Sequence, residues 1–237
     1  MLLVLLGLVI PMRAQAPAAS SERLLYEAEW RLIHAGNAEV KWQGTQQADL
    51  RLWSTGLVAK LIHIDDKYRA LFDTGYCVTS AITNSVEGSR HHEIKASFDA
   101  QKKRASYLER DLNKNSVVKQ AEIDTPGCVM DVLGGLEALR RRKLEAGQHF
   151  TVPLSDGKKF LNARVECQAT EVIKTRAGTF QAMRCEAFLF NGEFYSRKGR
   201  FFIWVSEDER RLPVQIRVQL PFYIGTVTLT LEKAERS

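Results

Sequence analysis

Residues 131–142 read Asp-Val-Leu-Gly-Gly-Leu-Glu-Ala-Leu-Arg-Arg-Arg, and beyond Gly147 the chain is strand after strand. Leu133, Leu136 and Leu139 form one apolar stripe at helical spacing, and Asp131 is a candidate N-cap just ahead of them. Thr125-Pro126 offers an earlier start, with proline at the first helical position. Gly134-Gly135 weakens such a helix by about 1 kcal/mol per glycine relative to alanine, so it must be held by packing. Arg140-Arg141-Arg142-Lys143 falls in its last turn, where positive charge complements the helix dipole; a patch for phosphate or lipopolysaccharide is the alternative reading.

Downstream, Phe150, Val152 and Leu154 alternate before the turn Ser155-Asp156-Gly157. Leu161, Ala163, Val165, Cys167 and Ala169 share a face, as do Met183, Cys185, Ala187 and Leu189. Leu212, Val214, Ile216, Val218 and Leu220 alternate with Gln215, Arg217 and Gln219, and Val227, Leu229 and Leu231 close the chain. This is the period of half-buried strands. Upstream, Tyr26, Ala28, Trp30 and Leu32 share a face, and Ala38, Val40 and Trp42 continue it beyond Gly36-Asn37. A three-residue loop centred on Gly36 sets Leu32 opposite Val40 and Trp30 opposite Trp42. Strands are expected near 48–55, 58–64, 67–73, 75–83, 90–98 and 102–108, and a polar loop over 109–125. The predicted fold is mainly β, antiparallel curved sheets or an open barrel with one main short helix. With no repeat and no low-complexity linker, residues 20–237 are expected to form a single β-rich domain.

Residues 2–10 are an uncharged apolar run too short to span a bilayer, followed by Pro11 and small residues. They read as a secretory signal over 1–19, cleaved after Ala18 or Ala19, which implies a periplasmic or secreted chain with no stable transmembrane segment once the signal is gone. The formal charge of +6 in 237 residues is modest. It suits contact with anionic envelope surfaces and does not single out nucleic acid as a partner. Four cysteines in an exported chain make disulfides possible, and without a Cys-x-x-Cys pair neither a redox motif nor a zinc ribbon is supported. Centring a hairpin on Arg176 sets Cys167 opposite Cys185, Val165 opposite Ala187 and Ala169 opposite Met183, which predicts a Cys167–Cys185 bridge. Cys77 and Cys128 remain as a pair by exclusion alone.

The search for chemistry yields no catalytic residue, metal site or cofactor. His91-His92-Glu93 is the densest ligand cluster, but adjacent strand residues point to opposite faces. There is no Gly-x-Ser-x-Gly elbow, His-Glu-x-x-His helix or glycine-rich phosphate loop. Asp65-Asp66 and Glu207-Asp208 sit in turn-like contexts that favour acids for geometry alone. The aromatic residues suit binding better. Trp30 and Trp42 share the apolar face of the opening hairpin, and Phe222 and Tyr223 lie in the apolar run 220–224. Together they are the candidate contacts for a lipid or other apolar ligand, although core filling is the commoner fate of such residues. The alternation leaves the faces of Trp53 and Trp204 unassigned.

The residues Asp131 with its leucine stripe, Glu145-Ala146-Gly147-Gln148, Asp156-Gly157-Lys158-Lys159, Ala177-Gly178-Thr179-Phe180 and Trp204-Val205-Ser206-Glu207-Asp208 through Arg211-Leu212-Pro213-Val214 resemble the bacterial exported family known as domain of unknown function 3108. Leu25-Tyr26-Glu27 through Trp30 to Gly36-Asn37-Ala38 fits the opening hairpin of that family. The resemblance implies a cell-envelope β protein and transfers no catalytic residue. The leading expectation is a non-enzymatic envelope protein that binds an apolar ligand or an envelope protein. An assembly or structural factor acting through protein contacts and an unrecognised hydrolase are the alternatives.

Overall fold

The computed structural model describes residues 21–189, 199–221 and 223–237; the expected signal over 1–19 lies outside them. The strands are β1 (Ser21–Trp30), β2 (Ile33–Gln43), β3 (Gln47–Ser54), β4 (Ile64–Phe72), β5 (Val78–Glu87), β6 (Arg90–Asp99), β7 (Arg104–Asp111), β8 (Ser116–Asp124), β9 (His149–Ser155), β10 (Phe160–Thr175), β11 (Gly178–Ala187), β12 (Arg200–Ser206), β13 (Pro213–Gln219) and β14 (Thr226–Arg236). Two helices interrupt them, α1 (Gly56–Leu61) and α2 (Val132–Arg140). All strands join one antiparallel sheet in the order β8-β7-β6-β5-β4-β3-β2-β1-β14-β13-β12-β11-β10-β9. Every neighbour but one is a sequence neighbour; the exception, β1 against β14, pairs the two ends of the described chain at the middle of the sheet.

The sheet rolls up without closing through strand-to-strand pairing, because β8 and β9 remain its edges. Residues 128–131 tie the edge strand β9 to the start of β5. Val78 donates its backbone N–H to Val129 at 2.8 Å, Met130 donates to Pro153 at 2.8 Å, and Ser155 donates back to Met130 at 2.9 Å. The β9–β10 turn then rests on the inner face of β6 and β7. A Cβ on Gly157 would lie 2.7 Å from the Ala96 Cβ, so only glycine fits that approach. From this closing segment α2 drops into the barrel with Leu133, Leu136 and Leu139 buried, as the stripe predicts. Asp131 is its cap, accepting from the Gly134 N–H at 2.7 Å, so the helix begins at the later of the two candidate starts.

Four local expectations are corrected. The first hairpin turns at Arg31-Leu32, both in the left-handed region (φ 50° and 66°), with Trp30 opposite Ile33 and Glu22 opposite Trp42. Gly36 is instead mid-strand, where its missing side chain admits β3: a Cβ there would lie 2.0 Å from the Trp53 carbonyl oxygen. Residues 56–61 are helix α1 rather than part of a strand over 58–64, a short helix that buries only Val58. The expected loop 109–125 contains the end of β7 and the whole of β8, an almost wholly exposed edge strand. With water on both faces β8 has no hydrophobic alternation to read, and Lys119, Glu122 and Asp124 blunt the edge against further pairing.

The β10–β11 hairpin carries the fourth. Cys167 faces Cys185 and Val165 faces Ala187, but Ala169 faces Arg184 because the register shifts between Cys167 and Ala169. The tip is a tight turn with Thr175 opposite Gly178, one step away from the centre that would put Ala169 on Met183. The bulge absorbs that step.

Gly36→Ala is expected to destabilise the protein by about 1–3 kcal/mol through overpacking against β3. Chemical denaturation would read this; an unchanged midpoint would show that β2 and β3 are not in the close register described.

Candidate functional site: apolar chambers inside the barrel

The residues pointing inward do not fill the barrel. A central chamber of about 290 Å³ lies between α2 and the walls, lined among others by Leu133, Leu136, Leu139, Val152, Val165, Ile203, Ile216 and Leu229. The alternation of the last strands builds this wall. Ile203 pairs with Ile216 and Ile216 with Leu229, while Phe201 pairs with Val218 and Val218 with Val227, so all six side chains share the inner face. A second chamber of about 230 Å³ shares Val132, Leu154 and Leu189 with the first and reaches Tyr68, Phe98, Tyr107, Asp131 and Lys158. A third, of about 480 Å³, shares Leu52, Val227 and Leu229 with the first and reaches Trp30, Val58, Ile62, Ile64 and Asp66. The three therefore lie side by side through common wall residues, the central and third chambers apolar and the second polar on the side of Tyr107, Asp131 and Lys158.

The polar groups at these edges are engaged with one another. The Tyr68 hydroxyl donates to Asp131, whose other oxygen caps α2. Burial raises the Asp131 carboxyl above its ordinary range, and these hydrogen bonds only partly offset that. Tyr107 donates to Glu109 at 2.8 Å, and His92 meets the other Glu109 oxygen at 2.9 Å. Burial pushes the Glu109 carboxyl up, but the bonds from His92 and Tyr107, with Lys158 nearby, outweigh it and hold the group below the usual carboxylate range. Lys158 lies 4.6 Å from the Tyr107 ring centroid. The basic run after α2 is likewise consumed by structure. Arg140 is buried against Glu22 at 2.7 Å and Glu137 at 3.2 Å, while Arg141 and Arg142 lie 4.3 and 4.5 Å over the Tyr76 and Phe150 rings.

Of the residues singled out from the sequence, Trp30 lines the third chamber and its indole N–H donates to the Ile224 carbonyl at 2.7 Å. Trp42 is buried against Phe72, with ring centroids 5.8 Å apart, and belongs to the core rather than to the chamber walls. Tyr223 sits in the turn before β14, exposed, and Phe222 lies outside the described residues. Trp30, Trp42 and Tyr223 do not converge. The walls are instead aliphatic, and β14 could have disclosed them through Val227 and Leu229, whereas Leu50 and Leu52 lie in a strand whose alternation was unclear. Trp204 is on the outer face. Its indole donates to Glu171 at 2.8 Å, and it belongs to a buried cluster against which Ile173 and Phe180 of the β10–β11 hairpin pack. His91 and His92 point apart, to Asn84 and Glu109, and among the described residues no three metal-ligating side chains converge.

Both cysteine pairs are at bonding distance. The sulfurs of Cys167 and Cys185 are 2.06 Å apart across facing strands, and those of Cys77 and Cys128 are 1.94 Å apart across 51 residues. The second pair ties the closing segment to the start of β5, next to the Val78–Val129 hydrogen bond. No local sequence signal points to it, because the contact exists only once the barrel is rolled.

Two outcomes are expected. Peptide mapping without reduction should recover linked Cys77–Cys128 and Cys167–Cys185 peptides, and Cys128→Ser should cost about 4 kcal/mol by loop entropy; alkylation of Cys77 and Cys128 without reduction would remove the clamp from the closure. For Asp131, a carboxyl whose pKa is raised on folding contributes stability that is present at low pH and lost as pH rises through the raised value. The stability of the wild-type protein relative to Asp131→Asn should therefore increase as pH falls from neutrality toward the ordinary carboxylate range. A pH-independent difference in melting temperature would show that Asp131 is not desolvated.

Among solved structures, the chain is similar to a β-barrel-like protein of domain of unknown function DUF1849 from Brucella abortus, with a TM-score of 0.60 and 9% identity over 92% of this chain and 98% of that one. It also aligns with a DUF1089 family protein from Pseudomonas aeruginosa at a TM-score of 0.31 and 11% identity over 94% of each chain. The first likeness concerns the fold alone. No curated protein matches the chain. The family described as Protein of unknown function (DUF3108) matches residues 25–232, nearly the whole rolled sheet, and the chain belongs to that family.

Proposed function

We propose that this chain is an exported cell-envelope protein that catalyses no reaction and holds an apolar ligand, of the acyl-chain type, inside its barrel. The observation that carries the reading is the central chamber: about 290 Å³ of interior whose lining is aliphatic apart from Tyr26 and Phe201. The Tyr26 hydroxyl is already committed to the Pro213 carbonyl at 2.9 Å, so the walls offer burial without a polar contact that would demand a specific head group. A chamber near the lower end of the roughly 300–1,000 Å³ typical of ligand pockets, sharing wall residues with two more, suits a slender chain better than a bulky ring system. Two cysteine pairs at bonding distance fit an oxidising compartment, and the apolar run at 2–10 supports export by a cleaved signal. An assembly factor working only through protein contacts would have no use for an unfilled interior. A hydrolase would need a nucleophile and base facing the cavity, and the central walls present neither.

The folded protein should bind N-phenylnaphthylamine saturably, and fatty acid or phospholipid should displace it. Val227→Trp, which places an indole where the central and third chambers meet, should weaken the probe by about tenfold or more with little change in unfolding. Absence of saturable binding by folded wild-type protein, with no lipid in native mass spectra of material taken from its own envelope, would sink the ligand-carrying reading.

A further inference from the structure

The third chamber opens at the end of the barrel where the β1–β2 turn, α1 and the β13–β14 turn meet. These pieces are tied together: Thr55 donates its N–H to the Ala35 carbonyl at 3.0 Å, His34 meets the Thr55 hydroxyl at 2.8 Å, and Arg31 donates to the Tyr223 and Ile224 carbonyls. The side chains they present outward are large and apolar. Leu32 is 92% exposed, Leu61 81% and Tyr223 75%, with Leu57, Ile33 and Ile62 exposed beside them. On α1 the division is complete within a single turn and a half. Val58 points into the chamber, and Leu57 and Leu61, four residues apart, form an outward stripe. A soluble surface has no reason to gather six such side chains at one rim, and Leu32 occupies a left-handed turn position that asparagine or glycine would fill more easily.

We propose that this rim is a bilayer-docking surface through which the apolar ligand enters and leaves; the proposal rests on the ligand-carrying reading above. Continuity of the apolar rim with the apolar chamber is what selects a lipid surface. Ile62 belongs to both, lining the chamber and remaining partly exposed at its mouth. An acyl chain moving from a bilayer across this rim would stay among hydrocarbon throughout, whereas passage through a polar mouth would expose it to water. Lys60 on α1 and Arg90 beside the β5–β6 turn place two cations near the rim, together with the acids Glu87 opposite Arg90 and Asp66 in the chamber wall, and that turn is tied to the end of α1 by a 2.6 Å bond from the Gly88 N–H to the His63 carbonyl. The chain as a whole carries +6. Leucine and isoleucine to insert, tyrosine at the boundary and Lys/Arg to reach head groups are the composition of an interfacial anchor.

The test uses the full chain with vesicles of phosphatidylethanolamine and phosphatidylglycerol, and the double variant Leu32→Asp/Leu61→Asp, both positions being solvent-exposed. Wild-type protein should co-sediment with the vesicles and withdraw a fluorescent fatty acid from them; the variant should lose both by about tenfold or more while binding N-phenylnaphthylamine in vesicle-free buffer as the wild type does. Val172→Asp, at another exposed apolar position on β10, should change neither. Wild-type protein that binds the free probe yet ignores vesicles would overturn the docking surface and leave the ligand reading standing. So would a wild-type dimer that the double variant dissociates without any effect on vesicles, which would assign the rim to a second copy of the chain. Loss of probe binding in the wild type itself would overturn the ligand reading and the portal with it.

Discussion

A rolled antiparallel sheet whose edges do not pair with each other needs another tie across it, and here four residues supply one. Residues 128–131 hydrogen-bond to β5 on one side and to β9 on the other, standing in for a missing strand. Their position is fixed from three directions. Cys128 lies at bonding distance from Cys77, Val129 is among the most deeply buried side chains, and Asp131 is held by Tyr68 on β4 and by the first turn of α2. The desolvated Asp131 is costly where it sits. It offsets that cost by joining the wall, the tie and the helix at one point.

The same helix explains why the interior is neither full nor empty. Gly134 and Gly135 look like defects in a helix of nine residues, yet a Cβ on Gly134 would lie 3.0 Å from the Phe72 ring and one on Gly135 2.9 Å from Leu154. The glycines are what allow α2 to lie against the wall at all. Between this helix and the β12–β14 wall lies the central chamber, lined on the helix side by Leu133, Gly135, Leu136 and Leu139.

Much of this was legible. The C-terminal strands disclosed themselves because each has one dry face, and the α2 stripe because Leu133, Leu136 and Leu139 have nowhere else to go. What could not be read has physical causes. The first hairpin turns at Arg31-Leu32, a pair carrying no turn signal, while Gly36, which carries one, serves strand approach. Strand β8 is wet on both faces, and α1 buries a single residue, so neither has a pattern to detect. For the site the obstacle was different. Aromatic residues drew attention, but Trp42 fills core and Trp204 lies outside the barrel, and the chamber walls are ordinary Val, Leu and Ile. Aliphatic wall and aliphatic core are chemically identical in sequence; only the three-dimensional shortfall in filling separates them.

Trp204 shows how one inserted residue changes which side of the sheet is dry. Ahead of the bulge, Val165 and Cys167 point into the barrel; after it, Ala169 pairs with Arg184, and Glu171 and Arg184 meet on the outer face at 2.5 Å. The remainder of the hairpin bends over the outside, where Arg176 at its tip reaches Glu27 of β1 and Glu232 of β14 at 3.3 and 3.2 Å. Beneath it Ala182, Phe202 and Trp204 are buried in a cluster that an isolated barrel wall would leave wet. A covalent link between Cys167 and Cys185 immediately before the shift pins the register there, so any change of twist in the hairpin must occur beyond the bulge. The bulge therefore sets the chamber wall and the outer cluster on opposite faces of the same pair of strands.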